Sequence, residues 1–205
     1  MIIAVDGPTA SGKGTVAKAL AVHFGLPHLD TGLLYRAVGR QVALAGGDAD
    51  SGADATAACG FPDSLLDDPE LRSEAVGGLA SRVSVHPAVR RALYERQRAF
   101  AMQSGGAVLD GRDIGTVIAP EAEVKLFVVA SVSARAERRF KEMQAAGRSV
   151  SLAEIAADLT ARDARDRSRA EAPLVAASDA VLLDTSDLGP AAAIAAAVRI
   201  AEARL

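Results

Sequence analysis

Tryptophan is absent from this chain of 205 residues, aromatic residues make up only 3% of it, and there is a single cysteine, Cys59. One cysteine excludes an internal disulfide framework and suits a reducing compartment. No histidine neighbours Cys59 in sequence to activate it, so it is a poor candidate nucleophile. The three histidines, His23, His28 and His86, are scattered and lack ligand spacing, which argues against a metal site built from them. No apolar run approaches the ~18 residues needed to span a bilayer. The first residues enter an apolar stretch with no basic leader and no cleavage site, so a cytoplasmic protein without membrane attachment is expected. An excess of positive charge is lacking too. The formal net charge is −3, so the overall balance suggests neither a nucleic-acid partner nor an anionic membrane surface.

What is present is a chain of 50% hydrophobic residues, able to bury one full core across residues 1–205. Its most informative run is Gly7-Pro8-Thr9-Ala10-Ser11-Gly12-Lys13-Gly14-Thr15, directly behind Ile2-Ile3-Ala4-Val5-Asp6. It reads as a buried strand, a glycine-rich turn and a helix over about 15–24, the context that a phosphate-cradling loop requires. Glycines let backbone N–H groups converge on an anion, and the helix that follows points its positive end there. Lys13 adds a cation that can follow the terminal phosphates, and the run as a whole is the expected ATP-binding element. The strict pattern has Ser or Thr directly after the lysine, whereas here Gly14 intervenes. A Mg²⁺ ion would then be held by Thr15 from one position later, or through water.

Short apolar runs alternate with helical patterns along the chain, which predicts a parallel α/β sheet. Strands are expected over 2–5, 27–29, 107–109, 124–129 and 180–183, several of them apolar on consecutive residues, as strands covered on both faces should be. Helices are expected over 15–24, 32–44, 87–102, 132–146, 151–169 and 190–203, the last starting after Gly189-Pro190. The fold class is therefore α/β, a three-layer phosphate-loop (P-loop) NTPase fold with helices on both faces of the sheet. Residues 45–69, rich in Gly, Asp, Ala and Pro, read as an excursion from it. A helical hairpin over 132–169, broken at Gly147-Arg148-Ser149, carries Arg135, Arg138, Arg139, Arg148, Arg162, Arg165, Arg167 and Arg169. It suits a lid that closes over phosphates, or else a solvated face, since Glu137, Glu142, Asp163 and Asp166 are interleaved.

A phosphate loop alone does not choose between kinases, switch GTPases and ATPases. No Asn/Thr-Lys-x-Asp base-reading motif occurs late in the chain, which disfavours a GTPase. Ala107-Val108-Leu109-Asp110 has the shape of a strand that positions Mg²⁺ and water, so an ATPase that binds a partner stays open. A kinase requires a second anion site, and three arginine stations offer one. Asp30-Thr31-Gly32-Leu33-Leu34-Tyr35-Arg36 opens a helix with Thr31 as its expected N-cap. Asp110-Gly111-Arg112-Asp113-Ile114-Gly115 follows a strand at its carboxyl end, where open α/β sheets place ligands. Arg162, Asp166 and Arg169 share one helical face by spacing. The planar arginine fork suits bidentate phosphate binding.

These motifs, with Gln97-Arg98-Ala99-Phe100, Thr116-Val117 and Pro173-Leu174, occur in order along nearly the whole chain. Together they resemble the bacterial cytidylate kinases, within the nucleoside monophosphate kinases. The resemblance implies transfer of the γ-phosphoryl group of ATP to CMP or dCMP with Mg²⁺, giving ADP and the diphosphate. It implies that Thr31, Tyr35, Arg36, Arg112 and Arg169 surround the acceptor nucleotide, and that Ser81, Arg90 and Asp113 read cytosine. Arg162 and Asp166 resemble the sugar-side group, and Arg138 and Arg139 the lid arginines that reach the transferring phosphoryl. Lys13, Arg112, Arg138, Arg139 and Arg169 are thus the expected catalytic cations. No strong general base is needed, because the acceptor is already a phosphate oxyanion. Longer members of the family carry a small β-rich insertion in the acceptor region; residues 60–71 are short and show no strand alternation. The expected organisation is one kinase domain with a helical acceptor-binding excursion over about 40–105 and a helical lid over about 133–170. No exposed apolar helix stripe stands out, so a monomer is expected. Its partners are expected to be the small molecules ATP and CMP or dCMP.

Overall fold

The computed structural model describes every residue of the chain except Ala146. It contains a five-stranded sheet of order β2-β3-β1-β4-β5, built from β1 (Ile2–Asp6), β2 (His28–Asp30), β3 (Ala107–Gly111), β4 (Val124–Val129) and β5 (Val181–Asp184). The β1–β3, β1–β4 and β4–β5 pairs all run parallel. Every residue of β1 and β3 is buried, so both faces of the sheet centre are covered. That is why these strands read as unbroken apolar runs rather than alternating ones. In register, Val5 lies beside Asp110 and Asp6 beside Gly111, so the two strands end together and deliver their following loops to one edge.

The chain divides into two compact units, residues 1–29 with 101–205, and residues 30–100. In the first, α1 (Lys13–Phe24) and α8 (Pro190–Glu202) pack over the sheet. Their contacts join Val16 and Leu20 to Ile3, Val5, Val108, Leu126 and Val128, with Ala193, Ala197 and Ala201 from α8. Three alanines at that spacing let the last helix lie close on its neighbours. The same unit holds the hairpin of α6 (Val132–Ala145) and α7 (Leu152–Arg167), joined through Gly147 at φ 70°. The reading of a helix over 132–146 ends on Ala146, which lies outside the described residues. A capping box starts α7: Ser151 accepts from the Glu154 N–H, and the Glu154 carboxylate accepts from the Ser151 N–H.

The second unit is helical among its described residues beyond β2: α2 (Thr31–Leu44), α3 (Gly52–Ala57), α4 (Glu74–Val83) and α5 (Pro87–Ala101), with short 3₁₀ turns between α3 and α4. α2 and α4 cross so closely at Gly39 that an added Cβ would sit 2.8 Å from the Leu79 Cβ and 3.0 Å from the Ala80 N. Residues 60–71 form turns, with no strand, as their composition suggested.

Two local readings are corrected. Thr31 is the first residue of α2 rather than its cap; Asp30 holds the cap position in an extended conformation, and its side chain makes no capping bond. Thr31 is instead buried within the first turn of α2. Arg169 lies beyond α7, whose last residue is Arg167, so 162, 166 and 169 do not form one continuous helical face.

Candidate active site

The phosphate loop joins β1 to α1 in the backbone shape expected from its composition. Gly7 has φ 154°, Ala10 φ 62° and Gly12 φ 89°. At Gly7 an added Cβ would lie 2.0 Å from the Val128 carbonyl oxygen, so strand β4 and the loop touch through bare backbone. The Ser11 Oγ is buried with no hydrogen-bond partner among the described residues, a polar atom inside the cradle. Lys13 Nζ reaches the Pro8 carbonyl at 3.5 Å, so its side chain folds back over the loop. Thr15 stands exposed on the first turn of α1. Gly14 faces Asp110, whose Oδ2 would lie 3.7 Å from a Cβ there. His28 Nε2 meets the other oxygen of Asp110 at 2.8 Å.

Around Thr9 the structure gathers residues from distant parts of the sequence. Arg112, just after β3, donates through Nη2 to the Thr9 Oγ1 at 2.6 Å and through Nε to Asp166 Oδ2 at 2.8 Å. The other oxygen of Asp166 accepts from Arg169 Nη2. Burial pushes the Asp166 carboxyl up, but Arg112 and Arg169 outweigh it and hold it below the usual carboxylate range. Arg162 is also buried, which lowers its pKa, and its neighbours include Asp158, Arg112 and Asp166. Arg112, Arg162, Asp166 and Arg169 therefore form one charged cluster against the phosphate loop.

Arg138 donates to the Thr185 Oγ1 at 3.1 Å, to the Thr185 carbonyl and to the Leu188 carbonyl. Its Nη1 would lie 4.0 Å from a Cβ on Gly12, so it borders the loop. Thr185 ties the same region down by donating to the Ser11 carbonyl at 2.8 Å. Arg139 pairs with Glu142 on the outer side of α6. The lid arginines thus split, Arg138 beside the loop and Arg139 against its own helix.

The helical unit holds its candidates by itself. Arg36 Nη1 donates to the carbonyls of Leu71 at 2.6 Å and Ser73 at 3.0 Å. Arg90 is buried on α5, its guanidinium 5.6 Å from the Tyr35 ring centroid, a cation–π arrangement. Ser81 is buried on α4. Tyr35 and Arg90 are thereby brought together from α2 and α5.

Two residues carry more of the site than the sequence suggested. Arg135, read only as one of a set, is 2% exposed and grips Asp163 through two bonds of 3.0 and 2.6 Å. It also donates to the carbonyls of Thr9 at 3.1 Å and Ala130 at 3.0 Å. It joins both hairpin helices to the phosphate loop. The signal available was its i,i+28 pairing with an aspartate, which no local pattern shows. By local pattern Asp6 is only the end of a strand, although a carboxylate at the close of a buried apolar run is itself a mark of a site.

A cradle of backbone amides with an adjacent cluster of arginines is what binding two phosphorylated ligands requires. Comparison with known proteins agrees over nearly the whole length. The family model described as cytidylate kinase matches residues 3–58 and 61–203. A protein of Xanthobacter autotrophicus named cytidylate kinase is 55% identical over 204 residues, covering 100% of this chain and 98% of its own. One of Azorhizobium caulinodans with the same name is 56% identical over 202 residues, covering 98% of each chain. One of Caulobacter sp., also so named, is 55% identical over 202 residues, covering 98% of this chain and 94% of its own. With a matching family model, relatives of this identity and the loop and arginine cluster in one unit, the chain belongs to the cytidylate kinase family.

Proposed function

We infer that this protein transfers the γ-phosphoryl group of ATP to CMP or dCMP, giving ADP and CDP or dCDP. The observation that supports this reading is the Arg112–Asp166–Arg169 cluster set against Thr9, a concentration of positive charge beside the loop that suits an acceptor phosphate. Lys13 and the amides of residues 7–15 hold the β- and γ-phosphates of ATP. Arg112 and Arg169 hold the acceptor phosphate, while Thr31, Tyr35 and Arg36 complete its surroundings. An acceptor oxygen forms its bond to the γ-phosphorus as the bond to the β-bridging oxygen breaks, and the leaving pair stays on ADP. Such a transition state needs in-line positioning and cations on the equatorial oxygens rather than a base. Arg138, beside Gly12, and Arg139 supply further positive charge from the hairpin. For this, Arg138 exchanges its Thr185 and Leu188 carbonyls for phosphate oxygens, a trade toward the stronger acceptor.

Hard oxygen donors suit Mg²⁺, and the Thr15 hydroxyl at the start of α1 is one. Among the described residues no group of three or more His, Cys, Asp or Glu side chains forms a metal cage. Thr15, directly or through water, together with phosphate oxygens fits the ion; when bound it neutralises charge on the β- and γ-phosphates.

Asp113, Arg90 and Ser81 read the base. Cytosine presents an amine that a carboxylate accepts and an N3 and O2 that a guanidinium donates to. Uracil reverses that edge and leaves buried groups mismatched, at about 1–3 kcal/mol each. Arg162 and Asp166 face the sugar. The test is ADP formation by purified protein with Mg-ATP and CMP, dCMP, UMP, AMP, GMP or no acceptor. Strong stimulation by CMP and dCMP is expected; hydrolysis indifferent to any acceptor would overturn the reading.

A further inference from the structure

Asp6 closes β1 one residue before the phosphate loop and is almost wholly buried. Its Oδ1 accepts from the Ile114 N–H at 2.9 Å and its Oδ2 from the Gly115 N–H at 2.8 Å. These are the first two N–H groups of a single π-turn, Ile114–Ile118, and the start of any helical turn leaves such donors without internal partners. The cap position of that turn belongs to Asp113, a residue type that ordinarily caps its own helix. Here the Asp113 side chain makes no capping bond. Asp6 supplies the cap from a neighbouring strand.

We propose that Asp6 is a positioning residue for acceptor recognition: by capping the Ile114–Ile118 turn from β1, it fixes the backbone that carries Arg112 and Asp113 in the geometry that acceptor binding requires. This rests on the CMP kinase reading above. The turn has little room to shift, since a Cβ on Gly115 would lie 3.2 Å from Lys125 Cδ and 3.5 Å from Asp6 Oδ2. The Lys125 ammonium does not neutralise Asp6. It is engaged by the Pro120 carbonyl at 2.5 Å and by Asp179 at 2.7 Å. Burial raises the Asp6 pKa to about 7; the Gly115 and Ile114 N–H groups and Lys13 oppose the rise, and Asp113 adds to it. A buried carboxylate held chiefly by two backbone amides costs stability, and such groups gather at functional sites.

The test is the steady-state kinetics of D6N with Mg-ATP, CMP and UMP. The amide keeps the shape but sets an NH₂ group against a backbone N–H. The KM for CMP should rise about tenfold and the preference for CMP over UMP should fall by a similar factor, with the KM for ATP nearly unchanged. In a D113N background, D6N should reduce the base preference no further, because the contact it positions is already gone. Equal damage to both substrates, wild-type constants in D6N, or additive losses in the double variant would overturn the proposal. A measurement on the wild-type chain covers the case in which D6N does not fold. By reciprocity, CMP alone should slow amide exchange at Ile114 and Gly115 about tenfold. Unchanged exchange there would also overturn it. Wild-type protein is assayed first, and a lack of CMP-dependent ADP formation would count against the kinase reading rather than against Asp6.

Discussion

Single residues hold the phosphate loop by contacts with almost no tolerance. At Gly7 the backbone of β4 occupies the space of a side chain, and φ 154° is strained for any other residue. Gly7→Ala should therefore cost more than about 3 kcal/mol and abolish ATP binding, as urea denaturation and nucleotide titration would measure. The Arg135–Asp163 pair is the other fixed point. Its side chains are 3% and 6% exposed, so removing one partner strands a buried charge. Asp163→Ala should destabilise the fold by about 3–5 kcal/mol, whereas an exposed pair such as Arg96–Asp63 should matter by less than about 1 kcal/mol. Asp113→Asn carries a different expectation. Preference for CMP over UMP should fall about tenfold or more while ATP affinity is retained, as kcat/KM ratios and equilibrium titration would read.

Elements show where local signals suffice and where they fail. The start of α7 was legible because Ser151 and Glu154 stand at capping-box spacing. Ser151→Ala should lower stability by about 1 kcal/mol, measured as a shift in the denaturation midpoint. Its end was not legible, because the arginines continue past Arg167 while the backbone leaves the helix at Ser168. Helix α4 has a weak local signal, since Gly77 and Gly78 lower its helical propensity. Packing restores it: Val76, Ala80 and Val83 form a buried stripe, and Gly39 on α2 admits the close crossing. The π-turn after β3 has no sequence signature at all. Its cap comes from Asp6, more than a hundred positions away.

At the scale of the molecule, buried charge makes stability depend on pH. The Asp6 pKa is about 7 in the fold against 3.8 for an ordinary aspartate, so the folded state binds the extra proton between those values. The contribution of this group is thus fully present below pH 4 and lost as pH rises towards 7. The stability difference between wild type and D6N should shrink over that interval, as urea midpoints taken at pH 5, 6, 7 and 8 would show. Asp166 acts with the opposite sign. Its pKa is depressed in the fold, so its contribution is present above the ordinary aspartate range and lost on acidification. The carboxylate form of Asp6 suits the cap, because both oxygens accept; the neutral form suits burial. The fold carries that conflict next to its phosphate loop. The chain is also expected to run as a monomer of 21.0 kDa in light scattering after gel filtration.

The order of the strands and of most helices, the phosphate loop and the positions of the arginines were determined by the sequence itself, because each rests on local spacing. An apolar run behind Gly7-Pro8 needs no distant partner to be read, nor does Asp110-Gly111-Arg112-Asp113 after a buried strand. Tertiary structure alone decided which charges meet. Arg112 pairs with Asp166, Arg135 with Asp163, and Asp6 with the Ile114 and Gly115 amides. Each of these contacts joins segments widely separated along the chain. Spacing says nothing about them, since a buried charge finds its partner through the packing of strands and helices around it.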